Sequence, residues 1–131
     1  MAMSKKVVKN WLALAEYDFE TAKAMMKSGR YLYVAFTCQQ TIEKALKALY
    51  VKEKEETPPY THNLIRLAEE LSIGKQIDEE TNRFLERLNS YYIQSRYTEE
   101  IYQISKSLDK KSAQEILSKT GELFKWLKKH V

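Results

Sequence analysis

The sequence is poor in the residues that cross-link a chain or break its helices. Of its 131 residues, one is cysteine, two are proline and three are glycine. A single cysteine, Cys38, cannot form an internal disulfide, and with only His62 and His130 beside it the sequence holds no cluster of zinc ligands. With 44% hydrophobic and 31% charged residues, the composition excludes collagen-like and disordered chains. It is typical of a folded domain with few turns.

Long apolar runs are missing as well. No stretch approaches the roughly 20 residues that cross a bilayer, and residues 1–6 lead into an amphipathic pattern rather than a secretory signal. We therefore expect no membrane association and a cytoplasmic location. The net charge of +4, from 22 basic and 18 acidic residues, permits an anionic partner without requiring one.

Apolar side chains recur at helical spacing along most of the chain. They predict helices over residues 5–28 and 30–54, a short helix from Thr61 to near Gly74, a helix capped by Asp78 and a last helix from Asp109. Pro58 and Pro59 predict a loop between the second and third helices. Residues 96–107 are less regular and predict a loop or a partial helical turn. The sequence thus predicts an all-α antiparallel up-down bundle of four long helices plus one short helix, as a single domain over residues 1–131.

Two sets of polar residues interrupt the apolar stripes. Asp18 lies seven residues after Trp11, which places its carboxylate on the apolar face, where it needs a partner. Gln40, Glu43 and Lys47 follow i, i+3, i+7 spacing on the second helix. Asp18 could form an inter-helix ion pair or belong to a functional site. The other three could simply stabilise their helix, or contact the base edge and phosphate of a nucleotide.

A third group combines an arginine with tyrosines. Tyr91, Tyr92, Arg96 and Tyr97 stand close together, and Tyr102 follows them. A guanidinium can hold a phosphate by two hydrogen bonds, and tyrosine rings can stack on bases. We expect Tyr91 and Tyr92 to pack in the core, whereas both a functional and a structural role stay open for Arg96. For His62 we expect a local structural role. The sequence has no phosphate-cradling glycine loop and no histidine pair on a helix.

These residues, in this order, resemble the HEPN family over nearly the whole chain. The resemblance depends on residues in each part of the chain, namely Trp11, Ala15, Asp18, Ala22, Gly29, Tyr31, Ala35 and Phe36, then Gln39, Gln40, Glu43, Lys44, Ala45, Leu46 and Lys47, then Pro59, Thr61, His62, Asn63 and Leu64, and finally Tyr91, Tyr92, Arg96 and Tyr97. The second of these groups is the most specific, because it is similar to the family's glutamine, glutamate and lysine signature.

The resemblance implies a helical domain encoded beside, or fused to, a minimal nucleotidyltransferase. It also implies binding of nucleotides or RNA, and in some members a metal-independent ribonuclease site that is completed across a dimer. That site pairs an arginine with a histidine that follows after four to six intervening residues. Arg96 fits the arginine, but the three eligible positions hold Ile101, Tyr102 and Gln103, and Thr98 stands where a proline often occurs. The missing histidine would supply proton transfer worth roughly 100- to 10,000-fold in rate.

We therefore expect a homodimeric binding module without a complete catalytic apparatus, a metal or a cofactor. Its expected partners are a nucleotide or RNA and a minimal nucleotidyltransferase, in a toxin–antitoxin-like or nucleotide-handling pair. The ligand-binding residues that we predict are Arg96, Tyr97, Asp18, Gln40, Glu43 and Lys47. One alternative is a ribonuclease that uses Arg96 with Tyr102 or His62 in place of the missing histidine. A second alternative is a purely structural dimerisation module.

Overall fold

The two longest helices form a hairpin that turns at Gly29. This glycine has a φ of +73°, a left-handed conformation that glycine adopts without a steric penalty. Its N–H donates to the Met26 carbonyl (3.2 Å), and the Arg30 N–H donates to the Met25 carbonyl (2.9 Å). These two hydrogen bonds satisfy carbonyls at the end of the first helix and reverse the chain, so the predicted helix stop at Gly29 is confirmed.

The computed structural model describes the backbone of residues 2–131 and the side chains of residues 4–131. Its helices are α1 (Ala2–Lys27), α2 (Tyr31–Lys54), α3 (Leu64–Glu69), α4 (Glu79–Asn89), α5 (Thr98–Ser107) and α6 (Lys110–Lys128), with 3-10 turns at Ser72–Gln76 and Ile93–Ser95. No strand occurs in this part of the chain. The predicted all-α bundle is therefore confirmed. None of the helices described is long and apolar enough to cross a membrane.

The long helices alternate in direction. Near the end of α6, Lys128 pairs with Glu16 of α1 at 3.6 Å, while the Phe124 ring packs on Phe19, so α1 and α6 run antiparallel. The α4 and α6 helices are also antiparallel, because Arg87 bonds to Glu115 at 2.8 Å while Phe84 lies under Lys119. The resulting up-down order is α1, α2, α4 and α6.

Helix α2 occupies the centre of the bundle and contacts α1, α3, α4, α5 and α6. It is buried along most of its length because small and branched apolar residues recur on several of its faces. Its fully buried apolar residues are Val34, Ala35, Cys38, Ile42, Ala45, Leu46 and Ala48. Any polar residue on this helix between about 39 and 47 is thereby forced to find its partners inside the protein.

Two local predictions were wrong. Residues 98–107 form helix α5, whose partly buried Ile101 and Ile104 precede buried Leu108 at i, i+3, i+7 spacing. The acidic pair Glu99 and Glu100 in its first turn favours a helix start there. This short apolar stripe is masked in the sequence by polar and aromatic neighbours.

The start of α3 also differs from the prediction. Asn63, not Thr61, caps the helix, because the Asn63 side chain accepts the N–H groups of Ile65 and Arg66. Thr61 instead accepts the Asn63 N–H at 3.2 Å. Helix α3 ends at Glu69, and a 3-10 turn covers the approach to Gly74. The cap predicted at Asp78 and the helix start predicted at Asp109 are confirmed, since each side chain accepts an N–H three residues ahead.

Cys38 is buried against Thr120, and we predict that its thiol is inert in the folded protein. Burial raises the pKa of the Cys38 thiol to about 12 from an ordinary value of 9.0, although the nearby Thr120 hydroxyl acts to lower it. Ellman's reagent at pH 8 should label Cys38 only after urea unfolding.

The buried thiol should also make stability depend on pH. Above pH 9 the unfolded chain loses the Cys38 thiol proton before the folded protein does, so the free energy of unfolding should fall between pH 9 and 12. In Cys38→Ala the contribution of the thiol to this fall in the free energy of unfolding should be absent. Rapid labelling of the native protein by Ellman's reagent would contradict the burial of Cys38.

Candidate functional site

A row of polar side chains lies inside the bundle along α2. Gln39, Glu43 and Lys47 stand one helical turn apart and are 0%, 4% and 7% exposed. Gln39 Nε2 donates to Glu43 Oε1 at 3.0 Å, and Lys47 Nζ lies 3.1 Å from Glu43 Oε2. An unpartnered carboxylate at this depth would cost several kcal/mol. The amide of Gln39 and the ammonium group of Lys47 supply the partners that Glu43 needs at the centre of the row.

His62 joins this row from the loop that follows the two prolines. Its Nδ1 lies 3.0 Å from Glu43 Oε1, and its backbone carbonyl accepts a hydrogen bond from Gln39 Nε2 at 3.2 Å. Because a carboxylate only accepts, Nδ1 must carry the hydrogen in this contact. In the neutral ring Nε2 is then left as an acceptor that points away from Glu43.

Tyr92 completes the chain of contacts. Its hydroxyl lies 2.9 Å from His62 Nε2, and the two rings are stacked with their centroids 4.0 Å apart. Burial raises the pKa of the Tyr92 hydroxyl, and the negative charge of Glu43 and the neighbouring Tyr60 raise it further. Tyr92 therefore stays neutral at physiological pH and can donate to His62. Its hydroxyl also lies 3.1 Å from Gln94 Oε1.

The chain from Glu43 through His62 to Tyr92 leads from the buried interior to the surface. Glu43 is buried, whereas the His62 side chain is 32% exposed. The Tyr60 ring, which is almost fully exposed, stands edge-on to His62 with the centroids 5.7 Å apart. Such an arrangement can orient a histidine for proton transfer, and it can also offer aromatic faces to a planar ligand. We call Glu43, His62, Tyr92 and Tyr60 the histidine site.

Two asparagines fix the segment that carries His62. The Asn89 side chain at the end of α4 accepts the Leu64 N–H at 2.8 Å and donates to Asn63 Oδ1 at 3.0 Å. Asn63 in turn caps α3. Helix α4 therefore holds the start of α3, and with it His62, at a defined distance from α2.

The remaining predicted site residues of α1 and α2 pair locally. The Asp18 carboxylate accepts a hydrogen bond from Lys44, which makes an ion pair between α1 and α2 with both side chains about one-fifth exposed. Gln40 Nε2 donates to Gln39 Oε1 at 2.7 Å. Lys47 lies 5.5 Å from the centroid of the Trp11 ring. The structure thus brings Gln40, Glu43 and Lys47 together, while Asp18 forms a separate ion pair.

Arg96 and the later tyrosines lie outside these contacts. Arg96 Nη1 bonds to Glu100 Oε2 at 3.1 Å, while the Nε of Arg96 is buried without a hydrogen-bond partner. Tyr97 and Tyr102 are exposed, and Lys106 lies over the Tyr102 ring. Among side chains 4–131, no hydrogen bond or ion pair joins Arg96, Tyr97 or Tyr102 to the histidine site.

Comparison with known proteins agrees with this architecture. The HEPN domain family matches residues 8–130. The chain belongs to the HEPN family. The resemblance inferred from the sequence is therefore confirmed. The crystal structure of TT1696 from Thermus thermophilus has a similar fold, with a TM-score of 0.80 over 95% of this chain and 98% of that one. At 21% identity this likeness establishes the fold alone. No curated protein shows a significant sequence match.

Three residues of this HEPN domain have hydrogen-bond partners in the structure that the sequence did not predict. The sequence predicts a local role for His62 and packing for Tyr92, and it groups Gln39 only with the family signature on the second helix. A usable signal was the i, i+4, i+8 spacing of Gln39, Glu43 and Lys47, which places an amide, a carboxylate and an ammonium group in one row. Nothing in the spacing could show that His62 would meet that row. Among side chains 4–131 of the HEPN domain, no group of three or more histidine, cysteine or acidic residues is arranged to hold a metal ion.

Proposed function

We propose that this HEPN protein binds a nucleotide or an RNA end rather than acting as a complete enzyme. The single observation that carries the proposal is the stacked pair of His62 and Tyr92, partly exposed, at the outer end of a buried ionic row. A ring pair held by buried hydrogen bonds is already ordered before a ligand arrives. A base that stacks on it, or on nearby Tyr60, would therefore lose little binding energy to the ordering of side chains.

Arg96 supports the phosphate part of the proposal. It follows Tyr92 by four residues, across the 3-10 turn Ile93–Ser95. Its ion-pair partner Glu100 is exposed, and an exposed pair of this kind contributes at most about 1 kcal/mol. Its buried Nε has no partner. A phosphate could replace Glu100 and would form stronger, bidentate hydrogen bonds with the guanidinium.

The proposal includes a homodimer in the cytoplasm and a minimal nucleotidyltransferase as partner, in a toxin–antitoxin-like or nucleotide-handling pair. Membership of the HEPN family supports the nucleotidyltransferase partner. An exposed row of Val7, Leu14 and Tyr17 on α1 offers apolar area for a protein contact, because all three side chains lie on one face of the helix.

Calorimetric titration with ATP, GTP and a short RNA tests the ligand. We expect Arg96→Ala to weaken binding about tenfold or more, because a charge-assisted phosphate contact contributes about 1.5–3 kcal/mol. The matched control is Arg83→Ala, which removes an equal charge from an exposed arginine that also pairs with a glutamate four residues away. Arg83→Ala should bind like the wild type. Equal affinities for Arg96→Ala and the wild type would remove the phosphate role, and no binding at all would remove the proposal.

A ribonuclease stays the second candidate, because Glu43 orients His62 as a proton-transfer group. The hydrogen bond at Nδ1 leaves Nε2 as an acceptor, as general base catalysis needs, and a substrate hydroxyl would take the place of the Tyr92 hydroxyl that lies 2.9 Å from it. This geometry favours His62 over Tyr102 as the replacement for the missing histidine. RNA cleavage that is lost in His62→Ala but kept in Tyr102→Phe would support the enzyme, and cleavage that survives both changes would identify a contaminant.

A further inference from the structure

Three helix ends meet at one end of the bundle, and all three carry lysines. The start of α1 lies beside the end of α2, since Lys47 contacts Trp11. The ends of α2 and α6 also meet, since Lys52 Nζ donates to the Val131 carbonyl at 2.7 Å. We call the following eight exposed residues the lysine end: Lys5, Lys6, Lys9, Lys52, Lys54, Lys125, Lys128 and Lys129.

Most of this charge is not neutralised locally. Lys54 pairs with Glu53 and Lys128 with Glu16, while Lys52 is bound to carbonyls at the end of the chain. The other lysines form no ion pair or hydrogen bond within side chains 4–131; they are Lys5, Lys6, Lys9, Lys125 and Lys129. Long, exposed ammonium groups of this kind keep their counterions and can exchange them for a polyanion.

The charge is also unevenly distributed over the molecule. The acidic residues of these segments and of the adjoining turn of α1 are Glu16, Glu53, Glu55 and Glu56. These segments therefore hold eight lysines and four glutamates. The difference of four charges equals the net charge of the whole chain, +4. Glu69 and Glu70 also lie near this end, because Glu53 binds Ser72, and the eight lysines stay in excess of the six glutamates there.

We infer that the lysine end binds the phosphate backbone of an RNA strand whose terminus or base occupies the histidine site. The inference rests on the proposed function and extends it from a nucleotide to a polynucleotide. Lysines bind phosphate as point charges, without sequence preference, so this surface would add affinity and salt dependence but no base specificity. An anionic membrane is disfavoured, because five of the eight lysines come from the ends of α2 and α6 and not from a single interfacial helix.

The distance between the two sites sets the length of RNA required. Phe36, on which Tyr92 packs, and Lys54 are separated by 18 residues of α2, or about 27 Å at 1.5 Å per residue. Successive charges of a stacked strand are about 3.4 Å apart, so this span corresponds to about eight nucleotides when the strand is stacked and to fewer when it is extended. A trinucleotide would then reach only the histidine site, whereas a decanucleotide would reach both.

Fluorescence anisotropy with labelled uridine trimers and decamers tests this arrangement over a range of salt concentrations. The variant K125Q/K129Q removes two lysines from the lysine end. The matched control K110Q/K111Q removes two exposed lysines from the opposite end of the same helix. We expect K125Q/K129Q to weaken decamer binding about fivefold or more and to lower the salt slope by about 1.4, which is two single-strand phosphate contacts. The control should change neither quantity. A second variant, K5Q/K6Q/K9Q, should repeat the loss from α1.

The outcomes separate this inference from the proposed function. Weaker decamer binding with unchanged ATP and trimer binding supports the lysine end. Decamer affinity and salt slope equal to the wild type overturn it, even if Arg96→Ala still loses nucleotide binding. Decamer binding that depends on the lysines without any ATP or trimer binding would keep the lysine end and reject the nucleotide site. Binding of the wild-type protein to phosphatidylserine vesicles but not to RNA would overturn the inference in favour of a membrane.

Discussion

Glu43→Ala should reduce the free energy of unfolding by about 3–5 kcal/mol, measured by urea denaturation followed by circular dichroism. The change leaves the Lys47 ammonium, 7% exposed, without its counter-charge. It also removes the acceptor of Gln39 Nε2 and of His62 Nδ1. The Lys47 ammonium is then buried without a counter-charge, His62 Nδ1 has no acceptor, and Gln39 Nε2 keeps only the His62 carbonyl. This desolvation penalty is larger than the net value of the original ion pair.

Glu79→Ala is the matched control for this prediction. Glu79 pairs with Arg83 four residues later on α4, just as Glu43 pairs with Lys47 on α2, but both side chains of the Glu79 pair are exposed. Its loss should change the free energy of unfolding by no more than about 0.5 kcal/mol. If Glu43→Ala were as mild as Glu79→Ala, Glu43 would have to be solvated, and the buried row would not exist.

The same substitution should disturb the histidine site. Without Glu43 the His62 ring loses the contact that fixes its tautomer, and its stacking on Tyr92 is no longer oriented from the interior. The structural role and the proposed binding role of Glu43 therefore cannot be separated by this variant. Arg96→Ala is the sharper probe of binding, because its ion pair with Glu100 is partly exposed and Arg96 makes no hydrogen bond to the histidine site.

Regular patterns made much of the fold predictable from the sequence. The stripes of α1, α2 and α6 were long enough to identify, and Gly29, Asp78 and Asp109 marked helix ends by chemistry that acts within a few residues. Helix α5 was missed because its stripe has only two partly buried isoleucines among polar residues. Local signals decide local structure, and they weaken as a helix becomes shorter and more exposed.

The candidate site was predictable only where its residues share a helix. Gln40, Glu43 and Lys47 could be grouped by spacing, whereas the contact between Glu43 and His62 joins residues 19 apart across the proline loop. The position of His62 depends on Asn63 and Asn89, which no periodicity connects. Arg96 is the opposite case. A site that contains both Arg96 and Glu43 requires residues from separate parts of the chain to meet, and local spacing cannot predict that they do.

Phe124→Ala should destabilise the protein by about 3–5 kcal/mol through a different mechanism, the loss of apolar contacts and the opening of a cavity. Phe124 is 1% exposed and packs edge-on against Phe19 with the ring centroids 5.8 Å apart. Thermal or urea unfolding measures the loss. A double-mutant cycle with Phe19→Ala should give a coupling of about 0.5–1.5 kcal/mol. A loss below about 1 kcal/mol would mean that the surrounding helices close around the missing ring.

Phe124→Ala also separates stability from ligand binding. Within side chains 4–131 its ring contacts Phe19 and the Lys128 ammonium, and no ring contact joins it to His62 or Tyr92. Below its unfolding transition the variant should therefore bind ATP or RNA like the wild type, whereas Glu43→Ala, at a similar cost in stability, should not. Equal losses of binding in both variants would show that the ligand responds to global stability, and the orienting role of Glu43 would lose its support.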